Sequence, residues 1–63
     1  MNYYEKYFKG KNGVQACEAL HNASDCELKE MESEFYNMAT LSRELSYLHM
    51  HEFVCDEIEL RKN

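Results

Sequence analysis

The sequence predicts an all-α fold. It reads as a small helical hairpin in which one or two short N-terminal helices pack on a long C-terminal helix, assembled as a helical homodimer. Three observations carry this. Proline is absent and the only glycines are Gly10 and Gly13, so nothing beyond residue 13 strongly breaks a helix. The remaining stretch is mostly Glu, Leu, Lys, Met, Ala and Arg, which favour helix. Its apolar residues recur at steps of three and four, the spacing of one helical face.

The elements follow in order within a single domain, 1–63. Residues 1–13 form an aromatic and basic segment with Lys6, Lys9 and Lys11 against Glu5. Asn2 is placed to cap a short helix, with Glu5 reaching back and Gly10 closing it. Tyr3, Tyr4, Tyr7 and Phe8 either close off a small core or anchor a protein partner, since aromatic residues dominate binding hot spots. Residues 14–22 read as a second short helix with Val14, Cys17, Leu20 and His21 on one face. Ser24-Asp25-Cys26-Glu27 matches the S-x-x-E capping box, in which serine and glutamate each satisfy the other's backbone N–H.

From there a helix is expected over 25–61. Its stripe runs Leu28, Met31, Phe35, Met38, Leu41, Leu45, Leu48, then Glu52, Cys55 and Ile58. Two consecutive steps of three around Met38 are a phase slip, beside Asn37, Thr40 and Ser42, which favour helix least. Either one helix continues through a local twist, or the chain turns near 37–41 with Thr40 capping a last helix. Lacking glycine and proline there, the sequence favours the continuous helix, about 55 Å long at about 1.5 Å per residue. Tyr47, Met50, Val54 and Ile58 form a second row, so the C-terminal half is apolar over a wide arc. A wide arc fits a bundle of three or more helices, and a two-fold dimer supplies them most simply. Leu28, Met31, Phe35, Met38, Leu41, Leu45, Leu48, Val54 and Ile58 are the predicted core and dimer seam.

Composition excludes several classes. The longest apolar run is Phe53-Val54-Cys55 and the mean hydropathy is −0.73, so no stretch spans a bilayer. A cytoplasmic protein without a signal peptide or membrane partner is expected. The net charge is −5, and residues 14–60 alone carry −9. That charge repels phosphate backbones, so direct nucleic-acid binding is not expected. Cys17, Cys26 and Cys55 read as reduced thiols acting as small hydrophobes.

Candidate chemistry is sparse. Cys17–His21 and His51–Cys55 are i, i+4 pairs that on meeting would make a Cys2His2 zinc set. The first pair lacks the tight Cys-x2–4-Cys spacing of structural zinc sites, so the expectation is no cofactor, with a zinc-stapled adaptor as an alternative. Glu27, Glu30, Glu32 and Glu34 read as a solvated face, with Asp25–Lys29 an i, i+4 ion pair. Alternatively, Glu27, Glu30, Glu32 and Glu34 mimic DNA charge and decoy a nucleic-acid-binding protein, with Glu27, Glu30 and Glu34 the partner-binding candidates. No phosphate cradle or catalytic motif occurs, and two or three helices scarcely enclose a pocket, so no enzyme is expected.

The opening Met1-Asn2-Tyr3-Tyr4-Glu5-Lys6-Tyr7-Phe8, with the acidic helical character of the whole chain, resembles the short early-region proteins of temperate lambdoid phages, encoded between the recombination and excision genes. The resemblance implies a non-enzymatic early protein that binds a host or phage protein in the host cytoplasm and biases development toward lysis. It carries over no site residue.

Overall fold

The computed structural model describes residues 2–62, so Met1 and Asn63, the ends of the expected domain, lie outside it. Four helices follow one another: α1 (Tyr3–Tyr7), α2 (Gly13–His21), α3 (Asp25–Ser42) and α4 (Leu45–Arg61). The described residues contain no strand. The all-α fold is therefore as the sequence predicts.

Local hydrogen bonds set the first three starts. Asn2 Oδ1 accepts from the Tyr4 amide at 2.8 Å, and Gly10 closes the segment with φ +73°, a conformation glycine adopts without steric cost. Asn12 and Gln15 form a reciprocal box at 2.9 and 3.0 Å, which the sequence reading passed over. At α3 the expected box is formed: the Glu27 amide donates to Ser24 Oγ at 3.1 Å, and the Ser24 amide to Glu27 Oε1 at 3.3 Å.

The helix expected to run unbroken over 25–61 is interrupted. Its estimated length exceeds the molecule's longest extent of 31 Å. The break falls at Arg43–Glu44, a few residues past the alternative turn at 37–41. Arg43 is left-handed at φ 58°, and its amide donates to the Ala39 carbonyl. Such a residue commonly ends a helix, although glycine usually occupies the position. The hydroxyls loosen this last turn by bonding back: Thr40 Oγ1 donates to Tyr36 O at 3.0 Å and Ser42 Oγ to Met38 O at 2.7 Å. Ser42 Oγ also accepts from the Glu44 amide at 3.3 Å. Thr40 therefore caps nothing, and α4 starts at Glu44 with no side-chain cap.

The reversal lays α4 back against α3 as an antiparallel hairpin, with α1 and α2 across it. Leu28, Met31, Phe35 and Val54 are buried as predicted, with Ile58 packed against them. Met50 joins the core beside Tyr47, so the second row of α4 faces α3, rather than the row starting at Leu45 and Leu48. Leu41 and Leu45 are 82% and 68% exposed, and Leu48 and Met38 are also open to solvent. Phe8 closes the core edge-on to Phe35, ring centres 5.5 Å apart.

Arg61 fastens the end opposite the turn. It donates to Asp25 Oδ1 (2.8 Å) and Glu57 Oε2 (3.0 Å). It also donates to the Leu20 and His21 carbonyls at 3.2 and 3.0 Å, placing a cation at the negative C-terminus of α2. Asp25 is thus drawn to Arg61 instead of the expected Lys29. The buried Glu57 gains the partner that a buried carboxylate requires.

A left-handed arginine costs roughly 1 kcal/mol, less whatever glycine adds to the unfolded chain's freedom. Arg43→Gly is therefore expected to raise unfolding stability by about 0.5 kcal/mol, and the β-branched Arg43→Val to lower it by about 1 kcal/mol or more. Urea denaturation of the two variants checks both signs.

Candidate functional site

Folding α4 onto α3 pairs residues equally far from the turn along the two arms. Tyr36 meets His51, ring centres 5.6 Å apart, and one turn further on Glu32 meets Cys55. Helical spacing already places His51 beside Cys55. Cys55 Sγ lies 3.5 Å from His51 Nε2 and 3.6 Å from Glu32 Oε2. One donor atom from each of Glu32, His51 and Cys55 lies within 4.8 Å of the others, and all three residues are half-buried. Burial, and next the Glu32 carboxylate, push the Cys55 thiol above its ordinary pKa. The thiol is thereby kept protonated and donates toward Glu32, a poor state for a nucleophile.

The Cys2His2 set read from the sequence does not assemble. His51 and Cys55 come together, but His21 Nδ1 turns to Glu57 Oε2 at 3.3 Å. Cys17 lies in the shallow groove it shares with His21, Glu57 and Leu60. Among the described residues, no other grouping of three His, Cys, Asp or Glu donors is close enough for one ion. Cys17 and Cys26 are exposed, not packed as small hydrophobes, and no cysteine is in a disulfide. Sequence spacing missed Glu32 because its proximity arises only when α3 and α4 pair antiparallel.

The aromatic and acidic partner-binding candidates are brought largely onto each other. Tyr3 OH donates to Glu30, which pushes the Tyr3 pKa up to about 12. Tyr7 OH donates to Glu27 Oε1 at 2.9 Å, and Lys6 Nζ lies 2.6 Å from Glu27 Oε2. Glu27 therefore caps α3 and also moors α1. Lys6 first, then Tyr7 and the Ser24 amide, hold its carboxyl down at about 2. Tyr7 and Phe8 are buried. Tyr4 remains 42% exposed and lines a groove of about 440 Å³ with Phe8, Lys11, Glu44, Tyr47 and Met50. Of the four glutamates, Glu34 alone makes no side-chain hydrogen bond or ion pair among the described residues.

A second surface lies at the turn. Met38 and Leu41 on the last turns of α3, with Leu45 and Leu48 on the first turn of α4, leave large apolar side chains in water. Arg43 and Glu44 sit between them, and neither forms an ion pair among the described residues. No described helix is long and apolar enough to cross a membrane.

No family model, curated protein or solved structure matches the chain.

Glu27 gives a pH signature. Its folded pKa near 2 lies below the ordinary 4.5, so its contribution is full above pH 4.5 and lost as pH falls toward 2. Thermal melts across that window are expected to show a smaller acid-induced drop in Glu27→Gln than in the parent. Equal drops would show that the α1 mooring contributes nothing measurable.

Proposed function

We propose that this chain is a non-enzymatic interaction module. It self-associates through the apolar surface at the α3–α4 turn and acts by stoichiometric binding. The observation that carries the reading is the exposure of Met38, Leu41, Leu45 and Leu48 together at the turn, whereas the other exposed large apolar residues, Tyr4, Val14, Tyr36 and Leu60, are spread one to each helix. Exposed apolar patches of this kind mark interaction sites.

A second copy is the occupant favoured on that surface. Arg43 and Glu44 place opposite charges side by side within the patch, and a two-fold interface lets each meet its opposite on the other copy. The arrangement also covers the α4 N-terminus, where no side chain caps the helix. A regulatory role in a host cytoplasm, through a bound host or phage protein, is what the resemblance to phage early-region proteins adds. The groove beside Tyr4 and Tyr47 borders the turn and extends the surface available to such a partner.

The acidic decoy is less well supported. Glu27, Glu30 and Glu32 are each engaged within the molecule, which leaves fewer carboxylates free to present as a phosphate-like row. Salt separates the two readings, because an apolar interface persists where a charge-driven one weakens steeply.

Sedimentation equilibrium across dilution is expected to show dimers that resist added salt. Leu45 lies on the exposed first turn of α4, where a glutamate is favourable to the isolated helix. Leu45→Glu should thus leave the helical spectrum intact while reducing the mass to one chain. A parent that is a single copy at all concentrations, or a Leu45→Glu variant that remains dimeric, overturns the proposal.

A further inference from the structure

We propose that Glu32, His51 and Cys55 form a zinc site that clamps α3 to α4 midway along the hairpin, with a fourth position open to water or an outside donor. This reading is independent of the self-association above and uses residues further along the hairpin from the turn.

The donor chemistry comes first. Thiolate, imidazole and carboxylate are the three protein ligand types zinc takes, and three such ligands plus one open position describe its non-structural sites. Coordination replaces the S–H bond of Cys55 with an S–Zn bond and releases the proton to solvent. Geometry comes second. In a tetrahedral site with Zn–S of about 2.3 Å and Zn–N or Zn–O of about 2.0–2.2 Å, sulfur lies about 3.5–3.6 Å from each other donor. Cys55 Sγ is 3.5 Å from His51 Nε2, 3.8 Å from His51 Nδ1 and 3.6 Å from Glu32 Oε2, so the thiol now lies beside the imidazole. Two of the three ligand–ligand edges are close to their bound lengths, and a turn of the His51 ring would aim Nε2 at the ion. The third, within 4.8 Å, closes to about 3.3 Å by rotation of the Glu32 side chain, which its half-exposed position permits.

The frame around the donors is ordered as such a site requires. His51 and Cys55 are held one turn apart on α4, while Glu32 is presented by α3, whose Met31 is fully buried. The Tyr36 ring lies beside the His51 imidazole, ring centres 5.6 Å apart. Joining donors from two helices, the ion would oppose separation of the hairpin arms, so binding raises stability by mass action.

The test uses the reduced full chain carrying Cys17→Ser and Cys26→Ser, since both thiols are exposed and outside the cluster. Titration with zinc is expected to show one ion per chain and a higher melting temperature. Cobalt, the spectroscopic stand-in, is expected to show thiolate charge-transfer and tetrahedral bands. His51→Ala, Cys55→Ser and Glu32→Gln should each weaken zinc binding by more than about 100-fold, since outer-shell partners alone cost about 10–100-fold. His21→Ala and Leu45→Glu should leave it unchanged. Glu32→Gln keeps the size and shape of a half-buried side chain, so it decides the matter even where Cys55→Ser fails to fold. Zinc binding weaker than about 1 mM in the parent, or affinity unmoved by Glu32→Gln and His51→Ala, overturns the proposal.

Discussion

Everything in this molecule depends on reversing the chain at Arg43. A helix continued through Ser42 would carry Met50 and Val54 away from Leu28, Met31 and Phe35, and the shared core of these residues would not exist. Ordering so short a chain costs on the order of 1–2 kcal/mol per residue in backbone entropy alone. Only burying two apolar faces against each other offsets that, and one amphipathic helix offers a single face. The chain therefore accepts a left-handed arginine, a modest local strain, to close a hairpin worth far more in apolar burial.

What was legible in the sequence follows from this hierarchy. The helical class was readable because composition and absent breakers act locally and point the same way from Val14 onward. The Ser24–Glu27 box was readable because both partners of the motif lie within four residues. The turn was readable only in part: the phase slip at Met38 allows a chain reversal near 37–41, but the absence of glycine and proline favours the continuous helix. Thr40 and Ser42 weaken the helix only by bonding back to Tyr36 and Met38, which spacing does not reveal. Once the turn was missed, the phase of α4 was assigned from the wrong row. Tyr47, Met50 and Val54 carry the core, whereas Leu45 and Leu48, whose spacing continued the α3 stripe, face water.

The same dependence governs the sites. His51 and Cys55 were identifiable from i, i+4 spacing, a property of one helix. Glu32 becomes their neighbour only through the pairing of two helices, and His21 is drawn to Glu57 only by the way α2 crosses α4. The glutamates teach the converse. As a run they read as a uniform acidic face, yet Glu27 is a cap and a mooring, Glu30 holds Tyr3, and Glu32 meets a thiol. Charge counted along a sequence overstates charge available to a partner whenever tyrosines and lysines fold onto it.

Along the hairpin, the fastening is uneven, and the proposed association rests on this unevenness. At the end away from the turn, Arg61 binds two carboxylates and two carbonyls, joining α2, α3 and α4. Midway, Met31 and Val54 are both fully buried. Toward the turn the core thins: Ala39 and Met50 are its last buried members, and beyond them Leu41 and Leu45 have nothing to pack on. A turn end this apolar, with an uncapped α4 start, is stable as drawn but incompletely satisfied. Apolar surface in water loses free energy in proportion to its area, so a partner that covers the turn end gains by the same measure. In the proposed self-association, the end that folding leaves unfinished is the end that a second copy would cover.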